Sequence, residues 1–370
     1  MKFGLFFEIS VPRPLTRENE RKAVLNTLEQ ARVADEVGFD NVWVVEHHFL
    51  EEYSHSSAPD LVLTAIAMQT KRIRIGHGAV VCVPQVNHPV RIAERAAMLD
   101  ILSGGRLELG TARSSTWTEV GGFLGVSPDI TKISWDEYVS TIPRMWMQET
   151  FSWDGVTFSM PERNVVPKPY QDPHPPMWVA VTTPGTELDA AARGLGCLGV
   201  SASSYQAQAA SVQRYREAIR HCDPVGQVIN NQVAAMNFLY CHEDGNIARD
   251  IGLPMMTRFN YLNTNQLWNK EVYPTPIYKT LSNLAPGASR GAPVVAIKDK
   301  KAVPEGVAVG DPHEIIRVLR EWESTGVDSV NFMINNVELI DQQAVLDSLR
   351  LFAREVMPAF KSAPAQTKVA

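Results

Sequence analysis

The sequence predicts an α/β fold in which eight β-strands alternate with helices and close into a (β/α)8 barrel. Short apolar runs alternate with segments of helical periodicity along the whole chain, which indicates parallel strands joined by right-handed crossovers. Residues 38–42 (GFDNV) are echoed by residues 326–330 (GVDSV), as repeated barrel units would give. An open doubly wound sheet is the alternative, but no GxGxxG motif follows the first strand.

Each strand is predicted from a short apolar run bounded by turn-forming residues. These runs fall at residues 3–7, 42–45, 73–81, 107–110, 177–181, 197–200, 233–241 and 329–334. Helices are predicted from apolar stripes at residues 17–37, 59–70, 89–102, 135–148, 186–193 and 207–220, and around Leu319 and Leu349. Gly38 ends the first helix. A polar hairpin is expected at residues 151–159, turning at Asp154-Gly155.

The segment at residues 246–310 holds more chain than one crossover needs, and it is interrupted repeatedly by Pro274, Pro276, Pro286, Pro293 and Pro304. Long insertions in compact domains are usually functional lids or disordered segments. We therefore predict one barrel domain over residues 1–360, with an insertion at 246–310 that includes a mobile lid, and a flexible tail at 361–370.

Composition excludes several classes of protein. A formal net charge of −6 argues against a nucleic-acid partner that binds by phosphate neutralisation. No run approaches the ~18 apolar residues of a membrane helix, and Glu8 interrupts the apolar N-terminus before any signal-peptide cleavage site. The four cysteines are far apart, so neither a disulfide framework nor a zinc site is indicated. We expect a soluble, cytoplasmic protein.

Side chains that directly follow the strands face the active site of such a barrel. The second strand is followed by His47 and His48, which point in different directions on an extended chain and cannot easily chelate one ion. Carboxylates and further histidines are missing after the later strands, so we predict no metal site. At least one of the two histidines is expected to be a packing residue.

Most polar groups after the remaining strands are uncharged hydrogen-bond donors, together with one arginine. Arg113, Thr182, Thr183, Thr186 and the amides of the helix that follows could hold a phosphate group. Helix capping by the threonines, without a ligand, is an equal alternative.

The third strand contains Gly76-His77-Gly78-Ala79. Glycine weakens a strand, so the run indicates either a barrel bend or the close approach of a flat ring.

The run EVGFDNVWVVEHHF at residues 36–49 closely resembles the second strand unit of the bacterial luciferase family of flavin-dependent monooxygenases, with its Glu-His-His-Phe signature. Residues 3–6 (FGLF), 88–91 (HPVR), 99–110 (LDILSGGRLELG) and 356–358 (VMP) resemble further parts of that family in register. The resemblance spans nearly the whole chain and implies the luciferase-like barrel.

The resemblance also implies an activity. The family binds reduced FMN at the C-terminal mouth of the barrel, forms a C4a-peroxide with molecular oxygen, and oxygenates a small organic substrate, here expected to be apolar or carbonyl-containing. No second nucleotide-binding domain is evident, so a separate NAD(P)H:flavin reductase is expected to supply the cofactor. His47 matches the family's catalytic histidine, and a histidine pKa of about 6.5 suits proton transfer.

The resemblance also places several residues beside the cofactor. These residues lie directly after the strands or within the third strand. Gly78-Ala79 matches a non-proline cis peptide under the flavin ring, and Arg113 and Thr182 match phosphate contacts. The predicted cofactor-binding set is Gly78, Ala79, Arg113, Thr182, Thr183 and Ser201. The chain departs from luciferase at Ala112, where luciferase has a reactive cysteine, and at Val181, where it has a glutamate.

Three other activities stay open from the sequence. A deazaflavin-dependent hydride transfer occurs within the same superfamily, and some luciferase relatives bind flavin without turnover. A metal-dependent hydrolase is the third. The family also implies a homodimer or higher oligomer that pairs through helices near the N-terminal units. Substrate identity and light emission do not transfer.

Overall fold

The structure is a computed structural model that describes residues 1–114, 117–123, 130–183, 185–200, 204–267 and 303–360. Its strands are β1 (Lys2–Phe7), β2 (Asn41–Val44), β3 (Arg74–His77), β4 (Val80–Val81), β5 (Leu107–Ala112), β6 (Phe151–Asp154), β7 (Ser159–Arg163), β8 (Met177–Val181), β9 (Gly196–Gly199), β10 (Val233–Cys241), β11 (Ala308–Gly310) and β12 (Ser329–Met333). Its α-helices are α1 (Arg17–Val37), α2 (Pro59–Gln69), α3 (Pro89–Ser103), α4 (Trp117–Gly122), α5 (Ile130–Met147), α6 (Thr186–Ala192), α7 (Tyr205–Ala218), α8 (Gly245–Leu262), α9 (Pro312–Ser324) and α10 (Gln342–Leu351).

Eight parallel strands form a closed barrel. The order is β1, β2, β3, β5, β8, β9, β10 and β12, and β12 pairs with β1 through Lys2 and Ser329. The pairing of β9 with β10, through Cys197 and Val233, completes the ring. The predicted (β/α)8 barrel is therefore confirmed, and the open sheet was the wrong alternative.

The third strand is broken where the sequence placed its glycines. β3 ends at His77, β4 begins at Val80, and the Gly78–Ala79 peptide bond between them is cis, as the resemblance implied. Gly110 of β5 lies against this break, because a Cβ atom there would be 2.0 Å from the carbonyl oxygen of His77. Only glycine lets the two backbones approach so closely.

The predicted insertion begins with regular structure. Residues 245–262 form α8, which a π-helical turn (Asn263–Leu267) extends, and the short β11 pairs with the end of β10. The segment 268–302 and the tail 361–370 lie outside the described residues. The predicted hairpin is present as the antiparallel pair β6 and β7, with Asp154 opposite Ser159.

Two tryptophans fill the lower part of the barrel. The rings of Trp43 and Trp178 meet edge to face, with centroids 5.4 Å apart. Their indole N–H groups donate to Asn41 at 2.8 Å and to Glu108 at 2.7 Å. Gly78 faces this packed floor, because a Cβ atom there would be 3.1 Å from Trp43. In (β/α)8 barrels the active site lies at the C-terminal ends of the strands.

Asp35 connects the end of α1 to the start of β3. Its buried carboxylate accepts hydrogen bonds from the amides of Lys71, Arg72 and Ile73 at 2.9, 3.0 and 2.7 Å. Burial raises the pKa of Asp35, but these three donors and the Arg72 guanidinium outweigh it and lower the pKa below its usual value.

Replacing Asp35 with Ala is expected to lower the free energy of unfolding by about 1–3 kcal/mol, because it leaves buried N–H groups unpaired. Urea unfolding at neutral pH measures the change. The neighbouring Glu36→Ala, which removes an exposed ion pair with Arg32, should change it by less than about 0.5 kcal/mol. The Asp35 contribution is present above the ordinary carboxyl pKa and is lost as the pH falls through its lowered pKa. Equal stability of the wild type and Asp35→Ala at neutral pH would contradict this.

None of the described helices is long and apolar enough to cross a membrane.

Candidate functional site

Three ionisable side chains meet at the C-terminal mouth of the barrel. Glu8 directly follows β1, His47 lies three residues beyond β2, and Glu119 belongs to α4. The His47 Nδ1 atom is 2.8 Å from Glu119 Oε1, and its Nε2 atom is 3.6 Å from Glu8 Oε2. The imidazole therefore lies between two carboxylates, and both of them are buried.

Glu119 fixes the orientation of the His47 ring. Its Oε1 atom accepts from His47 and also from the backbone amide of His48 at 3.0 Å. Its Oε2 atom accepts from the hydroxyl of Ser114 at 3.1 Å. Because Glu119 is held at both oxygens, it selects the tautomer in which His47 Nδ1 carries a proton.

Glu8 is held less completely. Its Oε1 atom accepts from the Tyr53 hydroxyl at 3.2 Å, and that hydroxyl accepts from Asn263 at 3.1 Å. Its Oε2 atom is buried without a hydrogen-bond partner among the described residues. The ring of Tyr53 also packs edge to face on His47, with centroids 5.6 Å apart.

Burial and the neighbouring charges act in opposite directions on the pKa of His47 and on the pKa of Glu8. Burial lowers the pKa of His47, but Glu119, Glu8 and Glu46 outweigh it and raise the pKa to about 9. Burial raises the pKa of Glu8 to about 7, even though His47 and the Tyr53 hydroxyl lower it. The cluster therefore favours the imidazolium form of His47 and the protonated form of Glu8, relative to the free side chains.

His48 belongs to a separate arrangement. Its Nε2 atom is 3.2 Å from Glu46 Oε1, and its ring packs edge to face on Phe123 at 5.1 Å. Glu46 is itself held by the amide of Val81 at 2.7 Å and by Asn87 at 2.8 Å. The two histidines thus bind different glutamates, and His48 is the packing histidine that the sequence led us to expect.

Three of the predicted cofactor residues, Arg113, Thr182 and Thr183, follow β5 and β8, which pair with each other. Arg113 lies one residue beyond β5, is half-buried, and forms no salt bridge with any residue that the structure describes. Thr182 and Thr183 follow β8 and are half-buried. Ser201 lies outside the described residues.

The first turn of α6 is already occupied by protein groups. The amide of Gly185 donates to the Glu187 carboxylate at 2.7 Å, and the amide of Thr186 donates to the carbonyl oxygen of Thr183 at 3.2 Å. Arg214 holds the same carboxylate at 2.5 Å. The expected anion site at these two amides is therefore closed. The capping alternative also differs from the structure, because Gly185 is the N-cap and no side chain caps the helix.

Among the described residues, no group of three or more His, Cys, Asp and Glu side chains is arranged to hold a metal ion. The four cysteines are free thiols, and three of them are buried.

Sequence reasoning did not identify Glu8, Tyr53 or Glu119 as site residues. Glu8 could have been identified from the sequence, because it is a charged residue that directly follows the apolar run of the first strand. Glu119 and Tyr53 lie in connections without a pattern, and they reach the site through contacts 72 and 45 residues away along the chain.

The sequence and the fold are similar to those of known proteins. The chain is 25% identical to the oxygenase component of a flavin-dependent trigonelline monooxygenase from Acinetobacter baylyi, over 97% of this chain and 96% of that one. The solved structure of the monooxygenase RslO1 from Streptomyces bottropensis superposes with a TM-score of 0.78 at 26% identity, covering 98% of this chain and 100% of that one.

Two further solved structures share the fold. The oxygenating constituent of 3,6-diketocamphane monooxygenase from Pseudomonas putida, in complex with FMN, has a TM-score of 0.74 at 20% identity and covers 97% and 98% of the two chains. An F420-dependent secondary alcohol dehydrogenase has a TM-score of 0.70 at 17% identity and covers 98% and 99%. The family model for luciferase-like monooxygenases matches residues 1–329. The chain therefore belongs to the luciferase-like monooxygenase family and is an oxidoreductase.

Proposed function

We propose that this chain is the oxygenase of a two-component monooxygenase, which takes reduced FMN from a separate NAD(P)H:flavin reductase and transfers one atom of O2 to a small apolar or carbonyl-containing substrate. The observation that carries the proposal is the His47 cluster at the barrel mouth, an imidazole held between two buried carboxylates. The relative described as an oxygenase component supports the separate reductase.

The residues at the mouth fit a flat ring with an anionic tail. The Gly78–Ala79 peptide, with Gly110 packed against the break that holds it, carries no large side chain above the tryptophan floor. Arg113 offers a guanidinium that no described carboxylate neutralises. We propose that Gly78 and Ala79 lie against the flavin ring, and that Arg113, Thr182, Thr183 and Ser201 bind its phosphate. Bound reduced FMN would supply the electrons that activate O2.

His47 is the proposed catalytic residue. Its protonated form can donate a proton at Nε2, while Glu119 keeps Nδ1 protonated and the ring fixed. The carboxylates beside the imidazole are buried, whereas the imidazole itself is 18% exposed. Bound reactants that cover this exposed part would shield its proton from solvent.

The test is turnover with isotopically labelled O2. The chain, mixed without air with reduced FMN and a panel of apolar and carbonyl substrates, should give a product with one labelled oxygen atom after O2 is added. The same mixture with a reduced deazaflavin tests the alternative. A substrate that is oxidised or reduced without O2 uptake, together with tighter binding of the deazaflavin, would reject the monooxygenase in favour of hydride transfer.

We also propose that the chain forms a homodimer and works in the cytoplasm. Four free thiols support a reducing compartment. The helices α2 and α3 pack side by side and both expose apolar side chains, which supports an interface at this face. This surface consists of Leu61, Met68, Met98, Ile101 and Leu102.

Replacing Leu61 and Met98 together with Lys is expected to convert the dimer to a monomer, because charge at the centre of an apolar interface has no partner. Sedimentation velocity at micromolar concentration measures the mass. Leu25→Lys on α1, at a similarly exposed leucine, is the control and should stay dimeric. A monomeric wild type, or a double variant that remains a dimer, would contradict the proposal.

A further inference from the structure

The Oε2 atom of Glu8 is an unpaired, buried oxygen next to His47. It lies 3.6 Å from His47 Nε2, beyond hydrogen-bond distance, and no described group donates to it. The Tyr53 hydroxyl holds only the other oxygen, at 3.2 Å. An ionised oxygen that is buried without donors is costly. A proton on Oε2 removes this cost.

His47 has one nitrogen free for exchange. Nδ1 is committed to Glu119, and Glu119 is itself fixed by Ser114 and by the His48 amide. The ring therefore cannot turn without breaking several contacts. Nε2 is the nitrogen that can give up a proton, and it is directed to the side of the site where Glu8 lies.

We propose that Glu8 is a positioning residue that acts through His47 by holding a second proton and passing it to Nε2. The proposal rests on the proposed function, because the proton is used at His47. When the Nε2–H bond of His47 breaks and the proton goes to the reacting group, the Oε2–H bond of Glu8 breaks and a new N–H bond forms at Nε2. Glu8 is left as a carboxylate and His47 as an imidazolium, and no electrons change hands.

Other ionisable groups also face the pair. Glu46 and Tyr53 reach it from the segment after β2, and Glu119 reaches it from α4. Glu46 and Glu119 raise the pKa of His47 whatever the state of Glu8. A change at Glu8 must therefore be measured directly on His47, with these groups left intact.

Nuclear magnetic resonance of histidine-labelled protein without added cofactor measures the titration of His47 across about pH 5 to pH 10. Glu8→Gln keeps the size of the side chain and removes its charge and its exchangeable proton. We expect the pKa of His47 to fall by about 1–3 units. The matched control is Glu51→Gln. Glu51 is an exposed carboxylate in the connection that also carries His47, and it is paired with Arg13. This substitution should leave the titration of His47 unchanged.

Two further measurements complete the test. Glu8→Asp restores the charge and should recover part of the pKa of His47. Infrared difference spectra of the wild type should show a protonated carboxyl band that disappears as the pH rises through about 7, and this band should be absent in Glu8→Gln. An unchanged pKa of His47 in Glu8→Gln, or no such band in the wild type, overturns the proposal. Neither measurement needs turnover, so a failed oxygenation assay leaves both readable.

Discussion

Replacing His47 with Gln is expected to lower kcat for substrate oxygenation about 10²- to 10⁴-fold, the usual contribution of a positioned acid or base. The physical reason is that glutamine can keep a hydrogen bond to Glu119 but cannot hold a transferable proton. Rapid-mixing kinetics with saturating reduced FMN measures kcat. The affinity for FMN should change little, because the site proposed for the phosphate lies on β5 and β8.

The matched control for this experiment is His55→Gln. His55 lies on the same connection after β2, and its Nε2 atom contacts the carbonyl oxygen of Glu51 away from the cluster. Its activity should equal that of the wild type. Full oxygenation by His47→Gln would remove His47 from the mechanism and leave a flavin-binding role without proton transfer.

The same residue sets the sign of the pH dependence. If imidazolium is the acid, the rate is highest at low and neutral pH and falls as the pH rises through about 9, the raised pKa of His47. In folding, the raised pKa means that the pair with Glu119 stabilises the protein fully below the ordinary histidine pKa, and that this stabilisation is lost as the pH rises through about 9.

Replacing Arg113 with Ala is expected to weaken FMN binding about 10- to 100-fold, since a hydrogen bond to a charged group contributes about 1.5–3 kcal/mol. Fluorescence titration measures Kd without turnover. Riboflavin lacks the phosphate and therefore shows whether the lost affinity comes from a phosphate contact. The wild type and Arg113→Ala should bind riboflavin with the same affinity.

The control for Arg113 is Arg91→Ala, which removes an exposed arginine paired with Glu94 on α3. It should bind FMN as the wild type does. An equal loss of affinity for FMN and riboflavin in Arg113→Ala would show that the arginine supports the site without touching the phosphate.

The barrel could be predicted from the sequence because its signals are local. The run at residues 177–181 is observed as β8 with the same bounds, because five consecutive apolar residues between polar turns fit only a buried strand. The short α4 was missed because two glycines in six residues leave no helical period. The start of α5 at Ile130 was placed five residues late, since Thr131 and Lys132 interrupt the apolar pattern in its first turn.

The candidate site could also be predicted only in part. His47 could be predicted because it lies beyond a strand in a run that resembles a family signature. Its electrostatics could not, because Glu119 approaches from α4 and Glu8 from β1, and only the closed barrel brings these distant segments together. The sequence also could not predict that the first-turn amide of Gly185 is already bonded, because this depends on the Glu187 side chain folding back onto it.

The closure of the barrel also affects how the protein is made. Lys2 of β1 pairs with Ser329 of β12, so the first strand keeps one open edge until nearly the whole chain has been synthesised. At about 5–20 residues per second, β12 leaves the ribosome roughly 15–60 s after β2. During that interval the apolar β1 offers unpaired backbone groups that can join another chain. The open edge of β1 is therefore an aggregation site of the nascent chain, and the closure of the barrel by β12 removes it.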